Sequence, residues 1–292
     1  MGLADTLTLD DGRLLGFDDV GDSGGVPVLY VHGSPDSRRA RHPHDGLAER
    51  LGVRLVAVDR PGAGLSTLHP TGTFGSFADD SVALADRLGI DQWRALAWSA
   101  GAPYALAIAA RHPSRIRRVA VAAGLVPFAA YATPSILADA DGGRRMVAEL
   151  GAELGPQGLA EMAAPMLAPY PCDHALAREH VLETADLTRR AELDSVPGSL
   201  DALAWGVADS VTGGLGGLAR DLELQVEAPD VDWSAVVAPV DLWYGHFDTT
   251  APPAFGTWWA EHLPKAELTV IPDAGHLVAL SHWEAILARL LS

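Results

Sequence analysis

A serine hydroxyl becomes a useful nucleophile only when a base takes its proton and a third group orients that base. Three separated stretches of this 292-residue chain supply those residue types. Ala97-Trp98-Ser99-Ala100-Gly101 places a serine where a β-rich run gives way to a helix-forming one. The small residues two before and two after it, Ala97 and Gly101, suit a sharp turn that presents Ser99 in a strained conformation. Gly245-His246-Phe247-Asp248 follows an expected strand at Leu242–Tyr244, and Pro272-Asp273-Ala274-Gly275-His276 one at Glu267–Ile271. In this order Asp248 would accept the Nδ1 proton of His276, leaving Nε2 to take the proton of Ser99. Ser99 alone also reads as a helix-capping serine. His246, His262 and His282 read as surface or hydrogen-bonded polar residues, and Asp273 as a turn residue.

A carbonyl oxygen that gains charge needs donors already in place. The Ala100 N–H follows the nucleophile at a helix start, and the Ser34 N–H lies just beyond Val31-His32-Gly33, where Gly33 permits a close backbone approach. Taken alone, His32-Gly33-Ser34-Pro35 also reads as a strand-ending turn.

These residues need a scaffold that ends several strands together. Up to about Gly124, short β-rich runs alternate with helical stretches, the pattern of a mainly parallel sheet covered by helices. Leu7–Leu9 and Leu14–Val20 read as an antiparallel hairpin turned at Asp11 and Gly12. Strands are expected over Val28–Val31, Leu55–Val58, Arg94–Trp98 and Arg118–Ala122, and helices over Phe77–Leu88 and Ala102–Arg111. From Val126 to Ala235 no strand series is evident, and helices are expected over Gly143–Leu154, Gln157–Leu167, His174–Arg190 and Ser199–Asp209. The β signal returns at Pro239–Tyr244 and Glu267–Ile271, with helices at Phe255–His262 and Leu280–Leu291. Gly213–Gly217 reads as a flexible loop without phosphate-binding meaning, because no strand leads into it.

In that order the motifs resemble the α/β-hydrolase superfamily. Val31-His32-Gly33-Ser34-Pro35 is similar to its oxyanion loop, and Asp59-Arg60-Pro61-Gly62-Ala63-Gly64-Leu65-Ser66 to its turn after the fourth strand. Ala97 departs from the usual first glycine of the elbow by one methyl. The resemblance implies an α/β-hydrolase fold, a mainly parallel eight-stranded sheet flanked by helices, with a helical cap inserted after the sixth strand. It implies a core of residues 1–125 and 236–292 and a cap of 126–235 over the active site. It also implies a serine hydrolase that cleaves a carboxylic ester, lactone or thioester through an acyl-enzyme on Ser99. A carbon-carbon bond hydrolase, a cofactor-free perhydrolase, an aminopeptidase and a non-catalytic ligand-binding protein of this fold remain alternatives. His32, Gly33, Trp98, Tyr131 and Trp205 are expected at the substrate pocket, and no cofactor or metal is expected.

The substrate is expected to be a small, partly apolar molecule, and bulk properties bear on other partners and on compartment. The chain carries 38 acidic against 21 basic residues, a formal net charge of −17, which disfavours nucleic acid. Cys172 is the one cysteine, so no intramolecular disulfide can form. No secretory leader or membrane span is evident, and cytoplasmic residence is expected. Composition leaves the oligomeric state open.

Overall fold

Eight strands form one sheet in a computed structural model that describes residues 4–139, 142–167 and 170–292. They are β1 (Ala4–Thr8), β2 (Leu14–Gly21), β3 (Val26–Val31), β4 (Val53–Val58), β5 (Trp93–Trp98), β6 (Ile116–Ala122), β7 (Val240–Gly245) and β8 (Ala266–Ile271). Their order across the sheet is β1-β2-β4-β3-β5-β6-β7-β8. β1 with β2 and β2 with β4 pair antiparallel, and the remaining pairs are parallel. The apolar runs of β3, β5 and β6 are buried at the sheet centre, as strands covered on both faces must be. The edge strand β8 alternates half-buried and exposed residues instead.

The helices are α1 (Gly46–Arg50), α2 (Phe74–Arg87), α3 (Ala102–Arg111), α4 (Pro134–Asp139), α5 (Gly142–Leu167), α6 (His174–Thr184), α7 (Leu187–Ser195), α8 (Ser199–Ser210), α9 (Gly216–Val226), α10 (Pro253–His262), α11 (Val278–Ser281) and α12 (Trp283–Leu291). Thr73 caps α2 reciprocally with Ser76, and Gly89 follows its last turn at φ 68°. α4 to α9 all lie between β6 and β7 in the chain; α5 packs on α9, and α6 on α8. Gly155, at φ 71°, breaks α5 between the two helical stretches read from the sequence. The single helix expected over His174–Arg190 is two helices. Asp186 accepts the Arg189 N–H at 2.7 Å and starts α7 afresh. No helix among the described residues is long and apolar enough to cross a membrane.

A buried ion network sets the path of the segment after β3. Arg38 reaches Asp18 on β2 at 2.9 Å and Asp59 after β4 at 2.8 Å, while Arg41 meets Asp18 at 2.7 Å. Asp59 also accepts the N–H groups of Arg38 and Leu65, and burial still pushes its carboxyl up to about 6. Its side chain fills the space a Cβ on Gly64 would need, the nearest oxygen lying 2.2 Å from that position. The turn after β4 and the loop after β3 are thereby tied together.

Candidate active site

Ser99, Asp248 and His276 come from loops that follow β5, β7 and β8, beyond the carboxyl ends of parallel strands, where open α/β sheets gather ligands. Ser99 has φ 53°, a conformation that costs a residue with a Cβ about 1–3 kcal/mol. The surroundings leave it no alternative. A Cβ at Gly101 would lie 2.4 Å from the Val31 carbonyl oxygen, so only glycine allows β5 to pass this close to β3 and turn into α3. The Leu125 N–H holds the Ser99 carbonyl at 3.0 Å. Ala97 is fully buried, and its single methyl is accommodated.

His276 Nε2 lies 3.1 Å from Ser99 Oγ, and His276 Nδ1 lies 2.8 Å from Asp248 Oδ2. The other Asp248 oxygen accepts the N–H groups of Thr250 at 2.8 Å and Ala251 at 2.9 Å, so both oxygens of this buried carboxylate are engaged. That arrangement favours the tautomer with the proton on Nδ1 and a bare Nε2 facing the serine hydroxyl. Trp98 donates its indole N–H to the His276 carbonyl at 2.9 Å, with the two rings 5.7 Å apart.

Gly33 backs directly on the serine: a Cβ there would sit 3.1 Å from Ser99 Cβ. Ser34 borders the same cavity as Ser99, and Ala100 follows it in a short 3-10 turn that leads into α3. The cavity holds about 270 Å³, and its apolar walls include Trp98, Val181, Leu203, Val207 and Leu277.

Three residues expected at the pocket lie elsewhere. His32 is fully buried behind the loop, accepting the Arg60 N–H on Nε2 at 3.0 Å, with Nδ1 2.8 Å from the Gly33 carbonyl. Burial and the adjacent Arg60 guanidinium hold it well below the usual imidazole range, so it braces the two loops as a neutral ring. Tyr131 is buried edge-on against Phe128 and Phe255. Trp205 lies on the opposite face of α8 from Leu203 and Val207, stacked on His174 and covered by Arg39, beside a separate groove. Two residues along a helix turn a side chain by about 200°, so a helix that points 203 and 207 inward points 205 away.

Glu192 is a residue that sequence reasoning missed. From α7 it accepts the N–H groups on either side of His276, those of Gly275 at 2.8 Å and Leu277 at 3.1 Å. Burial pushes its carboxyl above the usual range against the pull of those two bonds. A lone Glu in a helix of mixed polarity carries no local signal of this role. Among the described residues no group of three or more His, Cys, Asp or Glu side chains is gathered as a metal site.

A family model for the alpha/beta hydrolase fold matches residues 26–282. The pimeloyl-[acyl-carrier protein] methyl ester esterase of Neisseria meningitidis is 28% identical over 267 residues, 89% of this chain and 90% of that protein. The proline iminopeptidase of Xylella fastidiosa is 34% identical over 117 residues, 37% of this chain and 36% of that one. An alpha/beta hydrolase fold protein from Nakamurella multipartita matches at a TM-score of 0.68 and 27% identity, covering 99% of both chains. A thermophilic esterase from Thermogutta terrifontis matches at 0.67 and 23% identity, covering 99% of this chain and 97% of its own.

Proposed function

Because the chain belongs to the alpha/beta hydrolase fold family, we propose that it is a serine hydrolase that cleaves a carboxylic ester, lactone or thioester through an acyl-enzyme on Ser99. The observation that carries this reading is the unbroken hydrogen-bonded series from Asp248 through His276 to Ser99 Oγ. The name and near full-length match of the esterase relative support the ester as substrate.

In the first half-reaction Ser99 Oγ attacks the substrate carbonyl carbon while His276 Nε2 takes the hydroxyl proton. Asp248 stabilises the imidazolium that results. The Ser34 and Ala100 N–H groups receive the carbonyl oxygen as it becomes an oxyanion. The carbon–oxygen bond to the leaving alcohol then breaks, and His276 returns the proton to that alcohol. A water molecule repeats the attack on the acyl-serine: His276 takes a proton from water, the acid departs, and the proton returns to Ser99. One water is consumed per ester.

The apolar walls suit a small substrate with an aliphatic or aromatic portion. On this reading residues 1–125 and 236–292 form the core, and 126–235 form the cap that contributes Val181, Leu203 and Val207 to the cavity wall. The test is fluorophosphonate labelling together with turnover of short p-nitrophenyl esters. Wild-type protein labels and turns over, whereas Ser99→Ala does not label and loses about 10³-fold or more in kcat/KM. Labelling that persists in Ser99→Ala, or a wild type that neither labels nor cleaves, refutes the proposal.

A further inference from the structure

Two ionisable side chains border the cavity at Ser99 without a partner among the described residues. Arg189, half-buried on α7, makes no side-chain hydrogen bond or ion pair among the described residues. By contrast, the buried or half-buried Arg13, Arg38, Arg41, Arg54 and Arg60 all bind carboxylates. Asp36, only 8% exposed, lines the same cavity and also has no hydrogen-bond partner among the described residues. Arg60, the other cation that acts on Asp36, is already committed to Asp221 at 2.6 Å and to the Gly33 carbonyl at 2.6 Å.

Resting on the ester-hydrolase reading of Ser99, we infer that Arg189 and Asp36 form a subsite for a carboxylate carried by the substrate, so that the preferred substrate is an ester with a free acid group. Charge decides between ligand classes. Burial pushes the Asp36 carboxyl up to about 8 despite Arg60 and Arg189, so near neutral pH it is an uncharged donor and Arg189 supplies one unbalanced positive charge. A monoanion balances that charge, with the guanidinium pairing the carboxylate and the Asp36 O–H able to donate to it. A phosphate dianion would leave a negative charge uncompensated in a partly desolvated site, and an ammonium group would be repelled by the guanidinium. The subsite is also tied to the catalytic base. Arg189 borders a smaller recess with Asp248, Thr250, Gly275 and His276, and it lies one helical turn before Glu192, which holds the loop of His276.

The test compares three p-nitrophenyl esters of matched chain length: valerate (neutral), the glutarate half-ester (carboxylate-bearing) and δ-aminovalerate (amine-bearing). In the wild type, kcat/KM for the carboxylate-bearing ester exceeds that for the neutral one. In Arg189→Gln the ratio falls at least about tenfold, as expected for loss of a charge-assisted contact. Calorimetry with the turnover-dead Ser99→Ala protein reads the subsite without catalysis. Monomethyl glutarate binds Ser99→Ala and binds at least about tenfold more weakly to the Ser99→Ala, Arg189→Gln double variant. A ratio that Arg189→Gln leaves unchanged, or a preference for the amine-bearing ester, overturns the subsite. Fluorophosphonate labelling and neutral-ester turnover without carboxylate preference would defeat the subsite and leave the Ser99 reading standing. Binding of monomethyl glutarate by a protein that neither labels nor turns over would do the reverse.

Discussion

Replacing Glu192 by Ala or Gln tests whether α7 sets the position of His276, the proposed base. Alanine strands the buried N–H groups of Gly275 and Leu277, which now donate at 2.8 and 3.1 Å. Each stranded donor costs about 1–3 kcal/mol, an upper bound of about 6 kcal/mol for the pair. The raised pKa of Glu192 shows that burial opposes its charged form more than the two bonds favour it, and removing the carboxylate recovers that desolvation cost. The net loss of unfolding free energy is therefore expected at about 1–3 kcal/mol for Ala, and less for Gln, which keeps one acceptor. The catalytic effect should be larger in proportion. A shift of about 1 Å in His276 lowers the chemical step by on the order of 10²-fold, so kcat falls 10- to 100-fold with Gln above Ala, while KM stays within about threefold. The pH dependence has a definite sign. A carboxyl whose pKa rises on folding from its ordinary 4.5 contributes stability that is fully present below that value and is lost as pH rises through the folded pKa. The stability deficit of Glu192→Gln against wild type is thus greatest near pH 4 and shrinks toward neutrality. Urea titrations at several pH values and steady-state kinetics on a p-nitrophenyl ester measure both. An unchanged kcat in a variant that has lost stability would reduce Glu192 to a packing role and refute the positioning argument.

Gly101→Ala places a methyl 2.4 Å from the Val31 carbonyl oxygen. It should destabilise the protein by about 2–4 kcal/mol or abolish soluble expression, and a melting temperature within a degree of wild type would contradict the close β3–β5 approach. Asp36→Asn removes a carboxyl whose pKa is raised from 3.8 to about 8. Wild-type stability from this group is lost as pH rises between those values, so the variant should gain on wild type by at least about 1 kcal/mol between pH 5 and pH 8. Parallel melting curves with no such divergence would show that Asp36 is not held neutral.

The local chain geometry around Ser99, Asp248 and His276 could be read without the structure. Small residues stand two before and two after Ser99, Ala97 and Gly101, at a strand-to-helix turn, and Asp248 and His276 each follow within a few residues of a strand. Strand, turn and nucleophile lie within a few residues of each other, so their pattern survives in one dimension. The break in α5 at Gly155 was likewise visible, because glycine followed by proline interrupts a helix locally. The break at Asp186 had a signal too, an Asp ahead of a helix-forming run, but the apolar spacing on either side masked it. What the sequence leaves undetermined is which way each helix faces and which distant segments meet. Periodicity marks an apolar stripe without saying what the stripe packs against. Trp205 could therefore be expected at the pocket although α8 turns Leu203 and Val207 there, and Tyr131 and His32 looked like wall residues although both are buried behind it. Glu192 acquires its meaning from hydrogen bonds made across more than 80 residues of chain, where α7 meets the loop after β8, and Arg189 from the recess it borders there. The sharp turn that presents Ser99 is a local property of the chain. Where Glu192 and Arg189 lie relative to His276 and Ser99 was decided by tertiary packing, because only packing brings the Glu192 carboxyl to the loop after β8 and the Arg189 guanidinium to the cavity at Ser99.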